Sequence, residues 1–150
     1  MARATVYRYF MSKDHLLAEV SVAWGAEIVQ GLVADPPRGA HVGTRVGEVF
    51  ARVIDLASRD LNLAASVLEA ATSSDAAVSG DDQQQQQLAG LVGAYLDIAV
   101  GDDELPDRET VGTILGHVLL SVLLQLTSGR VTAARAAADV RAAAALVIGP

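Results

Sequence analysis

Apolar residues recur at intervals of three or four along almost the whole chain, the spacing that places side chains on one face of an α-helix. The clearest run is Leu16, Val20, Trp24, Ile28 and Leu32. No Asn-Gly or Asp-Gly turn separates segments of alternating hydrophobicity, so the sequence gives no sign of β-hairpins. This periodicity predicts an all-α fold.

Breaks in the periodicity mark where the predicted helices end. The first break is Asp35-Pro36-Pro37-Arg38-Gly39, because proline cannot donate the helical hydrogen bond. Polar residues 72–75 and the turn at 101–106 make two more breaks. Asp107 and Thr132 are predicted to cap the last two helices. The predicted helices cover residues 13–34, 41–59, 61–72, about 76 to the turn at 101, 107–128 and 133–147.

Composition limits what this bundle of helices can be. A chain of 150 residues suffices for one domain with its own core. Hydrophobic residues make up 51% and aromatic residues 4%, so Ala, Val and Leu supply the interior. The absence of cysteine is typical of a cytoplasmic protein without disulfides or thiolate metal sites. Residues 111–128 carry no charge and are long enough to cross a membrane, but five polar side chains favour a buried helix of a soluble bundle: Thr113, His117, Ser121, Gln125 and Thr127.

The N-terminal stretch is basic, whereas the remainder of the chain is acidic. Residues 1–13 carry a net charge of +3 from Arg3, Arg8 and Lys13, which leaves −10 on the other 137 residues. Contact with phosphates favours a basic surface. Thr5-Val6-Tyr7-Arg8-Tyr9-Phe10-Met11-Ser12-Lys13 places Val6 and Phe10 on one face of a short helix, and its polar side chains on the other faces.

This stretch resembles the recognition helix of a TetR-type transcriptional regulator. The family pattern is Thr, an aliphatic residue, Tyr, any residue, Tyr or His, Phe, two further residues, and Lys before a Leu-rich helix. The resemblance implies that Arg3 and Thr5 reach base edges, and that Tyr7, Tyr9 and Lys13 hold the phosphate backbone. An ordinary amphipathic N-terminal helix is the alternative interpretation.

In this family the recognition helix completes a helix-turn-helix and follows two further helices of the same domain. Only Met1 and Ala2 precede it here. We therefore expect residues 1–12 to be the remnant of a helix-turn-helix domain that lacks its N-terminal part, and residues 13–150 to form a ligand-binding and dimerisation domain. The alternative is a ligand-binding and dimerisation module that does not bind DNA by itself, or that silences full-length relatives by pairing with them.

The resemblance also implies a homodimer. In the family, the last two helices pair with the same two helices of a second subunit as a four-helix bundle. Gly112 and Gly116 would allow close approach of another helix, and the final helix is rich in alanine. We predict an interface of Leu119, Leu123, Val140, Ala144 and Val147.

A small-molecule effector is the second partner that the resemblance implies. The family places its pocket among helices that here carry aromatic residues, which predicts ligand contacts from Trp24, Phe50, Tyr95, His117 and Ser121. His117 and Ser121 belong to a polar stripe at four-residue spacing that faces either a ligand or a second subunit: Glu109, Thr113, His117, Ser121 and Gln125. The few basic residues in these helices favour a neutral, lipid-like or aromatic effector.

The sequence contains no nucleophile elbow, phosphate loop or metal-binding histidine pair, so we predict neither an enzyme nor a bound cofactor. A helical enzyme acting on small molecules would need a reactive group that the sequence does not show. The resemblance to TetR-type regulators thus implies a cytoplasmic, ligand-responsive repressor that makes no membrane contact. With its missing N-terminal helices present, it would bind palindromic operator DNA as a dimer and be released by an apolar effector.

Overall fold

The computed structural model describes residues 13–72 and 82–149. Within these residues every regular element is an α-helix, which confirms the predicted all-α class. The helices are α1 (Lys13–Ala34), α2 (Val42–Arg59), α3 (Leu61–Thr72), α4 (Asp82–Val100), α5 (Arg108–Thr127) and α6 (Ala133–Ile148).

The helix ends follow the predicted breaks, but one of the two predicted caps is wrong. The Thr132 hydroxyl accepts a hydrogen bond from the Arg135 N–H at 3.2 Å, as expected of an N-cap. Asp107 instead adopts a left-handed conformation with φ 51° and ψ 38°, and its side chain makes no capping bond. Its carbonyl accepts from the Val111 N–H at 2.9 Å, so the turn before α5 is held by the backbone. The predicted start near residue 76 lies outside the described residues.

Helices α2 and α6 form the most extensive contact between two elements in the described chain. From α2, Val46, Val49 and Phe50 are buried, and from α6, Val140 and Ala144 are buried in the same core. A Cβ atom on Gly43 would lie 2.0 Å from the Gly149 carbonyl oxygen, and one on Gly47 would lie 3.1 Å from the Arg141 Cα. The two helices therefore approach so closely that a side chain at position 43 would collide with the backbone of α6, and one at position 47 would have to displace it.

The order of these contacts shows that α2 and α6 run antiparallel. Gly43, in the first turn of α2, meets the end of α6, whereas Gly47 meets Arg141, about two turns earlier in α6. The positive end of the α2 dipole consequently faces the carbonyl end of α6, which is a favourable arrangement. Arg141 adds an exposed ion pair to Glu48, with 2.8 Å between Nε and Oε1.

Arg45 joins α2 to the C-terminal end of α4. Its Nε donates to the Ala99 carbonyl at 2.7 Å and its Nη2 to the Val100 carbonyl at 3.2 Å. Its Nη1 donates to the Gly39 carbonyl at 3.0 Å, and the guanidinium also pairs with Asp103. The last carbonyls of a helix lack partners within it, so this largely buried guanidinium ends α4 and fixes it against α2.

Helix α1 covers one side of this core with Ile28 and Leu32, both of which are buried. Its C-terminal end is held by Arg52, which bonds the Asp35 carbonyl and approaches its carboxylate at 3.5 Å. Further along α1, the missing side chain of Gly25 makes room for Leu91 of α4. In the sequence, the stretch that resembles a recognition helix ends at Lys13, the first residue of α1.

We expect Gly47→Leu to lower the free energy of unfolding by about 1–3 kcal/mol, because a side chain there forces α2 and α6 apart. Urea unfolding followed by circular dichroism measures the change. Gly90→Leu in α4 is the matched control, since a Cβ on Gly90 meets nothing within 4 Å. The control should gain about 0.5–1 kcal/mol from helix propensity. Equal stability of the two variants would contradict the close packing.

Candidate functional site

The three aromatic residues predicted to bind a ligand lie in one apolar interior. Phe50 and Tyr95 are buried and meet edge to face, with ring centroids 6.4 Å apart and planes at 88°. Half-buried Trp24 packs against the same core from α1. Burial raises the pKa of the Tyr95 phenol from 10.0 to about 12. This interior therefore offers rings and one neutral hydroxyl.

The two polar residues predicted to join them lie elsewhere. His117 and Ser121 are exposed on α5, whereas Leu115, Leu119 and Val122 of the same helix are buried. The structure thus divides the five predicted ligand residues between an apolar core and an outer helix face. The sequence could not make this division, because four-residue spacing describes a stripe on a helix without saying which way the stripe points.

Two surface clefts lie among the described residues, and neither of them is lined by a predicted ligand residue. One cleft of about 350 Å³ lies between the start of α2 and the loop before α5, and its lining includes His41, Asp103 and Leu105. The other, of about 320 Å³, is lined by Asp35, Arg38, Glu48 and Arg52. The described chain also holds no group of three or more His, Cys, Asp or Glu side chains that could bind a metal ion.

The residues predicted for a subunit interface face inward rather than outward. Leu119, Val140 and Ala144 are buried within the single subunit. Leu123 and Val147 are half-buried against the same core. The physical reason is that α2 occupies the face of α6 that carries Val140, Ala144 and Val147, while α3, α4 and α6 pack against the inner face of α5. The side chains of α5 and α6 that point away from this core are different ones.

Those other side chains include three that the sequence reasoning missed. Ile114 and Leu124 on α5 are 42% and 43% exposed, and Leu146 on α6 is 87% exposed. No charged residue occurs between Thr110 and Gly129. An exposed helix face with apolar side chains and no charges is unfavourable in water. The sequence could have revealed the two residues on α5, because Ile114 and Leu124 belong to a second face with three- and four-residue spacing, opposite the buried face.

Length and composition alone would allow α5 to cross a membrane. The most apolar stretch of 18 residues in α5 has a mean hydropathy of 1.6, and 28% of that stretch is buried inside the protein. Core helices of soluble proteins pass the same test. Because α5 packs against α3, α4 and α6 along its inner face, the apolar composition is partly explained by the core.

Polar groups on the outer face of α5 are in part bonded within the helix. The Thr113 hydroxyl donates to the Glu109 carbonyl at 3.0 Å, and the Gln125 amide lies 3.5 Å from both the Ser121 carbonyl and its hydroxyl. Within the described chain the His117 imidazole makes neither a hydrogen bond nor an ion pair. The His117 imidazole therefore has unused bonding capacity.

The residues predicted to contact DNA fall almost entirely outside the described residues. Four of them lie outside the described residues: Arg3, Thr5, Tyr7 and Tyr9. The fifth, Lys13, is the first residue of α1. Their roles stay predictions from the sequence.

Residues 39–147 match the family of tetracyclin repressor-like C-terminal domains. The chain belongs to this family. Its fold agrees with the crystal structure of a TetR transcriptional regulator from Rhodococcus sp. RHA1, with a TM-score of 0.75 over 98% of this chain and 79% of that chain. The sequences are 22% identical, so this likeness shows the shared fold alone. No protein of curated function matches the chain. The TetR-like architecture predicted from the sequence is thereby confirmed.

In this TetR-family chain, we expect stability to fall above pH 10 because of Tyr95. A phenol whose pKa is higher in the folded state binds its proton more tightly there, so unfolding becomes easier as pH rises from about 10 to about 12. The loss is about 1.4 kcal/mol for each pH unit in that range. Urea unfolding of wild type and Tyr95→Phe at pH 8 and 11 measures it. An equal loss in both proteins would contradict the buried position of the phenol.

Proposed function

We propose that residues 13–150 form the ligand-binding and dimerisation domain of a TetR-type repressor, and that residues 1–12 belong to its recognition helix. With the preceding helices of the helix-turn-helix present, the protein binds a palindromic operator as a homodimer in the cytoplasm. A small apolar effector releases it. The match of residues 39–147 to a C-terminal domain of this family carries the proposal.

The surface of the subunit supports the homodimer. Six large apolar side chains in the described chain are exposed, and three of them, Ile114, Leu124 and Leu146, lie on α5 and α6. These two helices pack against each other, so their outer faces can form one continuous surface. Apolar surface of this kind marks an interaction site in a soluble protein. A second copy is the partner that would cover it in this family.

The interior supports an apolar effector. The described core contains no buried charged residue, and the Phe50–Tyr95 pair sits where α2 meets α4. A ligand that enters there must part these rings and so move α4 or α1, which contact each other at Gly25 and Leu91. Because α1 leads into the recognition stretch, a ligand that prefers the opened arrangement shifts the spacing of the two recognition helices in a dimer.

The charge distribution supports DNA contact by the N-terminal end. The three positive charges of residues 1–13 contrast with the acidic remainder, so phosphates would be attracted to that end alone. The module that dimerises and binds ligand without binding DNA is the second candidate function. The family model that matches residues 39–147 describes a C-terminal domain, and this match favours it.

The dimer is tested by Ile114→Glu combined with Leu124→Glu, which places four carboxylates on the outer faces of α5 in a dimer. Both positions are exposed in the subunit, so the variant should fold and sediment as a monomer in analytical ultracentrifugation. Val33→Glu is the matched control, because Val33 on α1 is 63% exposed and should leave the dimer intact. A double variant that still sediments as a dimer would remove α5 from the interface.

DNA binding is tested by fluorescence anisotropy at two salt concentrations. The operator is selected from a random DNA pool with a version that carries the two preceding helices. In that version Lys13→Ala should weaken binding to every sequence and reduce the salt slope by about one. Arg3→Ala should relax the preference at one base pair and cost about 1–3 kcal/mol. Equal, sequence-specific affinity of the 150-residue chain and the longer version would contradict a need for those helices.

A further inference from the structure

The Tyr95 hydroxyl is the one polar side-chain group among the buried residues of the described chain. Tyr95 is 4% exposed, and every other buried residue in the described ranges has a hydrocarbon side chain or is a glycine. Phenylalanine would fill the same space beside Phe50 without placing a polar atom there. A lone hydroxyl in such an interior therefore calls for an explanation other than packing.

This hydroxyl has no hydrogen-bond partner within residues 13–72 and 82–149. In these ranges no completely enclosed side-chain oxygen or nitrogen lacks a partner, so the Tyr95 oxygen keeps a small accessible surface. An acceptor atom of another molecule can therefore reach the hydroxyl although the ring is buried. A phenol without a partner in an apolar site costs free energy, and an acceptor placed there recovers it.

The Tyr95 side chain is directed toward the contact between α1 and α4. Long side chains on an α-helix lean toward its N-terminal end, which brings the phenol to the level of Leu91, one turn earlier. The Leu91 side chain meets α1 at Gly25. Trp24, the neighbour of Gly25 in the sequence, packs against the same core. A molecule bound to the hydroxyl would therefore alter the surroundings of Trp24.

We propose that Tyr95 selects the effector by donating a hydrogen bond from its hydroxyl to a neutral carbonyl oxygen. The effector is then a mostly apolar ketone, ester or amide, rather than a pure hydrocarbon or a carboxylate. This inference rests on the apolar effector proposed above, and it adds the one polar group that such an effector must carry.

The surroundings of the hydroxyl disfavour the two other classes of effector. A pure hydrocarbon would cover the hydroxyl and leave it without a partner. A carboxylate would lose its hydration without gaining a positive charge, because no charged residue is buried in the described core. Arg45, which holds the end of α4, already bonds the carbonyls of Ala99, Val100 and Gly39 and pairs with Asp103. Its guanidinium is therefore occupied.

The protonation state of the phenol is consistent with a donor. Burial raises the pKa of Tyr95 to about 12, so the hydroxyl keeps its proton at neutral pH. A carbonyl oxygen accepts hydrogen bonds and cannot donate them, so the phenol must be the donor. One hydrogen bond of this kind, together with the cost of leaving the phenol unpaired, corresponds to about a tenfold difference in affinity.

Three probes of similar shape test the proposal on the 150-residue chain. Benzylacetone ends in a methyl ketone, isopentylbenzene has a methyl group in place of the carbonyl oxygen, and hydrocinnamate ends in a carboxylate. Binding is followed by the fluorescence of Trp24, the only tryptophan of the chain. Tyr95→Phe should weaken benzylacetone binding about tenfold and leave isopentylbenzene binding unchanged. Hydrocinnamate should bind more weakly than benzylacetone to the wild type.

Phe50→Leu is the matched control, because it removes the neighbouring ring and keeps the hydroxyl. It should weaken benzylacetone and isopentylbenzene by the same factor. The stability of the free protein gives a second readout. Since the hydroxyl has no partner in the described chain, Tyr95→Phe should not lower the urea midpoint at pH 7. A lower midpoint would show that the hydroxyl is already bonded in the free protein, and would overturn the proposal.

The remaining outcomes separate this inference from the proposed function. Benzylacetone binding that Tyr95→Phe leaves unchanged, or weakens no more than isopentylbenzene binding, would overturn the donor role while the apolar effector would stand. Tighter binding of hydrocinnamate than of benzylacetone would overturn the neutral class. If none of the three probes changes the Trp24 fluorescence or the melting temperature, both the apolar effector site and this inference are removed.

Discussion

The close antiparallel contact between α2 and α6 is the constraint on which the rest of this subunit depends. Glycine at positions 43 and 47 brings the helix backbones together, so that Gly149 and Arg141 fill the space that side chains would otherwise take. The contact buries Val140 and Ala144 and also aligns the opposed helix dipoles. Because the interior contains few large rings, short side chains at close range supply its packing.

The other helices take their positions from this pair. Arg45 fixes the end of α4 to α2, and Phe50 meets Tyr95 one turn further along. Because α2 already covers the inner face of α6, α5 packs beside the α2–α6 pair. One face of α5 is buried there and the opposite face is exposed. The apolar interior and the exposed outer face of α5 are thus two outcomes of one packing arrangement.

Helix number, order and boundaries were predictable from the sequence, because apolar periodicity and prolines act locally. The family was predictable from residues 5–17, a local motif. Which face of each helix is buried was not predictable. Leu119 and Val140 were expected between two subunits, but both are buried in the core of a single chain. Sequence spacing identifies two faces on α5, but which of them meets α2 and α6 depends on contacts distant in sequence. Asp107 is a local example. The sequence predicted a capping side chain, but the loop holds Asp107 in a left-handed conformation in which its side chain makes no capping bond.

Hydroxyl-radical footprinting tests the central claim most directly, namely that the α2–α6 contact leaves the outer face of α5 for a second copy. The protein is labelled at concentrations above and below its dissociation midpoint, with Val33 as the internal reference. The account predicts that labelling of Ile114 and Leu124 falls on association, while Val33 is unchanged and Phe50 stays protected at both concentrations. Association without any change in the labelling of Ile114 and Leu124 would contradict it.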